Sequence, residues 1–438
     1  MLLKFWGVRG SIPAPMTSRQ VQQKIVNALQ EAAVKQVDLS DPNALDEFVV
    51  RLPLSIRGTI GGNTSCITVE TPDGLVIFDA GSGMRDLGDA LMERGFGQGK
   101  GKASIFLTHT HWDHIQGFPF FRPVYVSGNR FTIYHLHPHV KHVLVGQMDA
   151  QWFPVQFDYL TATLEFKKIE EGDVVEVAGL KVRSKALQHP GVAYAYRVDS
   201  GSSSFVIATD GEYKNLSASH TKEYIDFFKG ADVLIFDAMF SVRESFIRED
   251  WGHSSALIGA DIARQAGVKQ LVLFHHDPAL GEDQVWRVFQ VAREYISRDR
   301  SNSPAQVVLA TEGLEINLSD KPEFVVESET VGDVAVLSLA GHFDATGAEV
   351  FEAEFGAMVK QPSRAKVVLS MQDVTELSMA GVKALLEARK QTYGMALVQL
   401  PSRIHRVLEL AVTTDFFAIY EDVDTALEAL NALDNEQQ

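Results

Sequence analysis

The chain has 438 residues, 45% of them hydrophobic, a length and composition that suit two or more globular domains rather than one. Its 57 acidic and 40 basic side chains leave a formal charge of −17. A surface that acidic repels polyanions, and no Lys/Arg stripe with interleaved aromatics offsets it, so long nucleic acids are poor partners, whereas a small anion held at metal ions is compatible. The single cysteine, Cys66, excludes an internal disulfide and a thiolate metal cluster, and its strand-like surroundings make it a small core residue. No apolar run approaches the roughly 20 residues needed to span a bilayer. The N-terminus lacks a signal-peptide layout, so a cytoplasmic protein is expected.

Residues 2–8 read as a first strand, followed by a turn at Arg9-Gly10-Ser11-Ile12-Pro13. Residues 19–37 show helical spacing in Val21, Ile25, Leu29 and Val34, and a second short helical piece follows Asn43. This stretch, about 16–58, reads as an insertion that covers the site or packs on its flank. The main fold resumes at Gly61-Gly62-Asn63-Thr64-Ser65. Strands at 65–70 and 75–78 flank Thr71-Pro72-Asp73-Gly74, a hairpin signal. The second ends at Asp79; a helix follows over 84–93, then a flexible Gly-rich connector over 95–101. Further elements are a strand at 131–135, a helix at 140–148, and antiparallel strands at 163–169 and 173–182.

The buried strand 103–108 runs into His109-Thr110-His111-Trp112-Asp113-His114. Histidines at i and i+2 project to one side of an extended backbone and can share one ion. Asp113 and His114 follow the bend and suit a second. Four later strands also stop at polar residues: 182–187 before His189, 204–208 before Asp210, 233–236 before Asp237, and 270–274 before His275 and His276. Donors placed repeatedly at strand ends are what a site at the edge of stacked sheets requires. His276 alternates away from His275 and reads as structural. Asp277 either supports a ligand histidine or caps the turn before Pro278. His135, His137, His139 and His142 read as a polar loop, while Trp152 and Phe153 either line the substrate pocket or belong to the core.

Asp79, the run from His109 to His114, His189, Asp210 and His275 together resemble the successive motifs of the metallo-β-lactamase superfamily, over about residues 1–316. The opening Phe5-Trp6-Gly7-Val8-Arg9-Gly10-Ser11, with Gly61 to Ser65, resembles the branch related to RNase Z and the phosphonate-pathway cyclic phosphodiesterase. The resemblance implies an α/β fold, an αββα sandwich over residues 1–318 with two metals at one sheet edge. It implies that His109, His111 and His189 hold one metal, that Asp113, His114 and His275 hold the other, and that Asp210 bridges them. Asp79 would orient a ligand histidine. All donors are N or O; two divalent ions are expected, zinc first, with manganese or iron also compatible. A water shared by the ions would lose its proton near neutral pH and attack as a bridging hydroxide.

Trp251-Gly252-His253-Ser254-Ser255 resembles the Gly-His-Ser-Thr element of the phosphodiesterase branch. His253 would be the general acid that protonates the leaving oxygen, or else a solvated neighbour of the helix cap at Ser254. The candidate catalytic residues are Asp113 and His253. RNase Z carries a long Gly/Pro-rich arm that grips tRNA; only 20 residues separate His189 from Asp210, and no such arm is there. A small phosphodiester such as a cyclic nucleotide is therefore the expected substrate. A carboxylic ester, thioester or lactone hydrolase is the alternative, as is a signalling module with a sensory metal domain.

After Pro322 the pattern restarts. Residues 324–328 and 334–339 read as strands, Gly341-His342-Phe343-Asp344 as a turn, and 348–359 as an amphipathic helix. Strands at 365–369 and 395–400 alternate with helices at 380–391, 402–410 and 423–433. Residues 341–345 and 374–381 resemble a STAS domain, here 323–435. In that family a serine in the second stretch is phosphorylated by a partner kinase. Aligned on Gly381, that position is Met379, with Ser378 before it, and a thioether accepts no phosphoryl group. Docking of a protein partner, or self-association, without phosphorylation is expected.

Overall fold

The structure, a computed structural model, describes residues 1–201, 203–298, 305–318, 324–359, 365–411 and 414–432. The chain divides into two compact units, Met1–Ser319 and Asp320–Gln438. The expected junction around 319–322 and the end of the last expected helix, residue 433, lie outside the described residues.

The first unit holds fourteen described strands: β1 (Leu2–Gly7), β2 (Cys66–Thr71), β3 (Gly74–Phe78), β4 (Lys102–Phe106), β5 (Arg130–His135), β6 (Thr163–Lys168), β7 (Val175–Val177), β8 (Leu180–Leu187), β9 (Ala193–Ser200), β10 (Ser203–Ala208), β11 (Val233–Asp237), β12 (Gln270–Phe274), β13 (Gln306–Leu309) and β14 (Glu315–Asn317). They form two sheets, β14-β1-β2-β3-β4-β5-β6 and β13-β12-β11-β10-β9-β8-β7. Period-2 alternation sorts each strand between two cores. Phe78, Phe106, Phe205, Ile235, Val272 and Phe274 point between the sheets. Leu234, Phe236, Leu271 and Leu273 face helices Ala218–Phe228, Ala256–Ala266 and Glu282–Ser297 on the outer side. Leu75, Ile77 and Ile105 face helices Gly83–Met92 and Val140–Gly146 on the other. The result is the αββα sandwich that the resemblance implied.

Strands β3 to β6 run parallel, as do β10 to β13. Their C-terminal ends carry the polar residues singled out above. Two expectations need correction here. Residues 163–168 do not pair with 173–182: β6 adds in parallel to β5, and β7 pairs antiparallel with β8 in the other sheet. Alternation reports a half-buried face and not a partner. Gly95–Gln98 is a 3₁₀ turn with Phe96 buried, so the glycines of that stretch do not make it a loose connector. Cys66 is fully buried, as its apolar neighbours required. The insertion forms helices Ser18–Val34, Pro42–Arg51 and Leu54–Arg57, closed on a small cluster of Ala32, Phe48 and Leu52. It packs on the flank, where Lys24 Nζ reaches the Ser55 and Gly58 carbonyls and lies 2.7 Å from Glu282 at the start of helix Glu282–Ser297.

The second unit is one sheet in the order β15 (Val325–Val331), β16 (Val334–Phe343), β17 (Lys366–Leu377), β18 (Gly394–Val398), β19 (Ala418–Tyr420). Only β15–β16 is antiparallel; the other pairs are parallel. Helices Ala345–Met358, Met379–Gln391 and Ser402–Leu410 cover one face and Val423–Ala432 the other. Residues 341–343 are strand rather than turn, because β16 continues beside the long β17 and pairs Phe343 with Leu377. Among the described residues no helix is long and apolar enough to cross a membrane.

Candidate metal centre

Three of the site residues share one local device. Asp79, Asp210 and His275 each follow a parallel strand, and each adopts a left-handed backbone, with φ of 61°, 58° and 58°. That conformation is costly for a residue with a Cβ and persists where the surroundings fix it. It turns the side chains of Asp210 and His275 off the strand path into one space above the strand ends, and that of Asp79 onto His114 behind it.

His109 and His111 enter that space from the turn after β4, and His189 enters from the turn after β8. Their ligand-capable nitrogens form one group within 4.8 Å of one another. His189 Nε2 lies 3.0 Å from His111 Nδ1. Asp113, His114, Asp210 and His275 form a second such group. His275 Nε2 is 3.1 Å from Asp113 Oδ2, and His114 Nε2 is 3.2 Å from both Asp113 Oδ2 and Asp210 Oδ2. Asp210 stands between the groups. Its Oδ1 is 3.9 Å from both His109 Nε2 and His189 Nε2, and 3.4 Å from His275 Nε2. All seven residues expected to hold metal are thus brought together.

Supporting contacts set which nitrogen of each ring faces inward. His114 Nδ1 donates to Asp79 Oδ2 at 2.7 Å, leaving Nε2 for the centre. Asp79 also accepts from the Thr108 backbone N–H at 2.9 Å, so its place is behind a ligand histidine and not among the inward-facing donors. His189 Nδ1 donates to the Gly252 carbonyl at 2.9 Å. The Ser11 N–H donates to Asp113 Oδ2 at 2.7 Å, and Gly10 lies against the His275 ring so closely that a Cβ would sit 2.5 Å from it. The opening Gly10-Ser11 therefore holds two of the donors in place.

The chemistry of the donor set fits divalent ions. His109 Nε2 is buried without a hydrogen-bond partner among the described residues. Imidazole nitrogens face each other at 3.0 and 3.3 Å, where at most one of each pair can donate. Burial lowers the pKa values of His109, His111 and His189, which keeps them neutral and ready to ligate. Burial also works against charge on His275 and His114, but Asp210 and Asp113 outweigh it, raising His275 to about 9 and His114 well above its usual value. Burial pushes Asp113 and Asp210 upward, yet the neighbouring imidazoles prevail and hold both carboxylates well below their usual range.

His253 stands beside this group. Its Nδ1 is 2.8 Å from Asp237 Oδ2 and 3.9 Å from Asp210 Oδ1, and its ring stacks on His275 at 5.2 Å between centroids. Asp237 is fully buried and also accepts the Asp210 N–H at 3.1 Å and the Met239 N–H at 3.0 Å. The sequence reading placed Asp237 at a strand end but gave it no role. A lone carboxylate closing the wholly apolar Val233–Phe236 was the available signal. Ser254 does not cap the next helix; Ser255 does, accepting from Ile258 N–H.

The remaining polar candidates lie apart. His276 is buried on the Ala310 carbonyl at 3.0 Å, and burial takes its pKa down to about 3. Asp277 accepts the Ala279 N–H at 2.7 Å and so caps its turn. His135 and His137 bond the carbonyls of His137 and Val192, and His139 pairs with Thr110. Trp152 and Phe153 line an open cavity of about 850 Å³ with Trp112, the residue between His111 and Asp113.

Residues 75–276 match the family described as Beta-lactamase superfamily domain, and residues 325–426 match the STAS domain. Ribonuclease Z of Haloarcula marismortui is 23% identical over 314 residues, 60% of this chain and 94% of that protein. Ribonuclease Z of Myxococcus xanthus is 26% identical over 309 residues, 60% of this chain and 95% of that one. The crystal structure of the metallo-beta-lactamase fold protein YhfI from Bacillus subtilis is similar at 18% identity with a TM-score of 0.47, covering 72% of this chain and 98% of that chain. The chain thus carries a beta-lactamase superfamily domain over residues 75–276 and a STAS domain over residues 325–426.

Proposed function

We propose that residues 1–318 form a dinuclear metal-dependent phosphodiesterase for a small phosphodiester such as a cyclic nucleotide, acting in the cytoplasm. His109, His111 and His189 would hold one ion and Asp113, His114 and His275 the other, with Asp210 standing between the two groups. When bound, the two ions supply an acidified water and positive charge against the phosphoryl oxygens. Asp113 acts through its ligand position. The observation that carries the phosphodiester reading is the His253–Asp237 pair at 2.8 Å, beside Asp210 but with His253 Nε2 left free of Asp237. Asp237 orients the ring through Nδ1, which turns Nε2 away from the pair, where it can hand a proton to a departing alkoxide. A phosphodiester needs that proton when its leaving group is a sugar hydroxyl.

The relatives named ribonuclease act on RNA. For this chain a small substrate is favoured by the charge of −17 and by the short span between His189 and Asp210, which is spent on the β9–β10 hairpin. The exposed indoles of Trp112 and Trp152 offer the substrate's aromatic part a stacking surface. The STAS domain, residues 323–435, docks a protein partner or a second copy. Its Ser378 hydroxyl accepts the Gly381 N–H at the start of helix Met379–Gln391, and Met379 beside it is exposed.

The test is turnover by zinc-loaded protein of 2′,3′-cyclic AMP and 3′,5′-cyclic AMP beside p-nitrophenyl acetate and a simple lactone. Hydrolysis of a cyclic phosphodiester in preference to the esters is expected. Ester or lactone hydrolysis with inert phosphodiesters would replace this reading by the carboxylic-ester one.

A further inference from the structure

A buried carboxylate, Glu212, accepts from the loop that delivers His253. Between helices Val242–Ile247 and Ala256–Ala266 the chain takes left-handed backbone at Asp250 (φ 72°) and Gly252 (φ 83°). Asp250 and Trp251 are exposed and contribute no core contact. Glu212, only 6% exposed, sits under this loop. Its carboxylate accepts the Asp250 N–H at 3.1 and 3.2 Å and the Gly252 N–H at 3.2 Å. Its own N–H donates to the Gln188 carbonyl at 2.8 Å, one residue before His189.

The same loop returns to His189. The Gly252 carbonyl accepts His189 Nδ1–H at 2.9 Å, and a Cβ on Gly252 would lie 2.2 Å from that nitrogen. Gly252 is therefore pressed onto the imidazole, and its carbonyl fixes which nitrogen carries the proton. The chain of contacts is Glu212 carboxylate, Gly252 N–H, Gly252 carbonyl, His189 Nδ1. It leaves Nε2 without a proton and facing His111. A carboxylate that accepts several backbone N–H groups in a buried place is a strong local clamp.

We propose that Glu212 is a positioning residue: by clamping residues 250–252 it holds His189 in the Nδ1–H tautomer and so sets the affinity of the ion held by His109, His111 and His189. The inference rests on the dinuclear reading for its effect on metal, but its effect on the tautomer stands without any ion. Partners of this kind are worth about 10–100-fold in metal affinity. In Glu212→Gln the carboxamide can oppose its NH₂ to the loop N–H groups and accepts through one oxygen only.

Two measurements test it. The first is competition of a chelator for zinc, resolving the two ions, in wild type and Glu212→Gln. One ion is expected to weaken about 10–100-fold and the other to stay near its wild-type affinity. The second is nitrogen NMR of histidine-labelled, metal-free protein, in which the protonated Nδ1 of His189 is expected in wild type and a mixture of tautomers in the variant. Lys214→Ala, which cuts the exposed ion pair of Lys214 with Asp250 on the same loop, is expected to change neither readout. If Glu212→Gln does not fold, Glu212→Asp, which retracts the carboxylate by one methylene, is read the same way. A folded Glu212 variant with wild-type zinc affinities and an unchanged His189 tautomer would overturn the proposal, as would an equal loss in Lys214→Ala. Fewer than two zinc ions in wild type with the tautomer shift still present would count against the dinuclear reading and leave the clamp standing.

Discussion

Replacing His253 by asparagine isolates its proposed proton. The Asn amide N–H stands near the place of imidazole Nδ1, so it can still donate to Asp237 Oδ2, now met at 2.8 Å. Asp237 is fully buried and keeps its bonds from the N–H groups of Asp210 and Met239. The fold is therefore spared the loss of the bond to a buried carboxylate, about 1.5–3 kcal/mol, that His253→Ala would remove. What His253→Asn takes away is Nε2. A positioned general acid contributes about 10²–10⁴-fold, or roughly 2.7–5.4 kcal/mol at the transition state. That loss is expected only where the leaving group needs a proton. With 2′,3′-cyclic AMP the departing ribose alkoxide needs one, and kcat should fall by the full factor. With bis(p-nitrophenyl) phosphate the departing p-nitrophenolate is stable as an anion at neutral pH, and the fall should be much smaller. The assay is steady-state turnover of both substrates by wild type and variant at equal zinc content. Equal losses on the two substrates would refute proton donation and make His253 a binding or structural group.

Three further outcomes follow, two from the metal centre and one from the second unit. In the metal-free protein Asp210 and Asp113 raise His275 to about 9, so zinc uptake at pH 7.5 in weak buffer should release protons, read by a pH indicator. Because the folded-state value of His275 lies above the unfolded value of about 6.5, its contribution to apo stability is full below that pH and is lost as pH rises through about 9; denaturant midpoints of the apo protein should fall over that window and those of the zinc form should fall less. In the second unit, Ser378→Ala removes the cap bond to Gly381 N–H and should cost about 1 kcal/mol in that unit's thermal unfolding without changing phosphodiester turnover.

The site was legible because metal chemistry restricts residue types and because parallel strands, buried on both faces, read as apolar runs whose ends stand out. His109 to His114, Asp210 and His275 follow such runs, whereas His189 follows the alternating, antiparallel β8. Asp237 and Glu212 were not legible in their roles. Each acts through a contact between segments far apart in sequence, Asp237 with His253 and Glu212 with residues 250–252, and no local pattern encodes that meeting. The fold shows the same limit. The alternation at 163–168 identified a strand, but its parallel partner is β5, across the helical segment 140–146. Gly341 suggested a turn, yet parallel pairing with β17 carries β16 through it. The short β19, Ala418–Tyr420, lies at a sheet edge, and its three residues are too few to show a period.

The most direct test of the account is metal stoichiometry coupled to activity. Protein stripped with a chelator should have no phosphodiesterase activity. Zinc titrated back should restore it, with full activity only as the second ion per chain binds. Asp210→Asn, which weakens the bridge, should no longer hold the pair. Activity that survives complete removal of metal, or that is full with one ion per chain and indifferent to Asp210, would contradict a dinuclear hydrolytic centre.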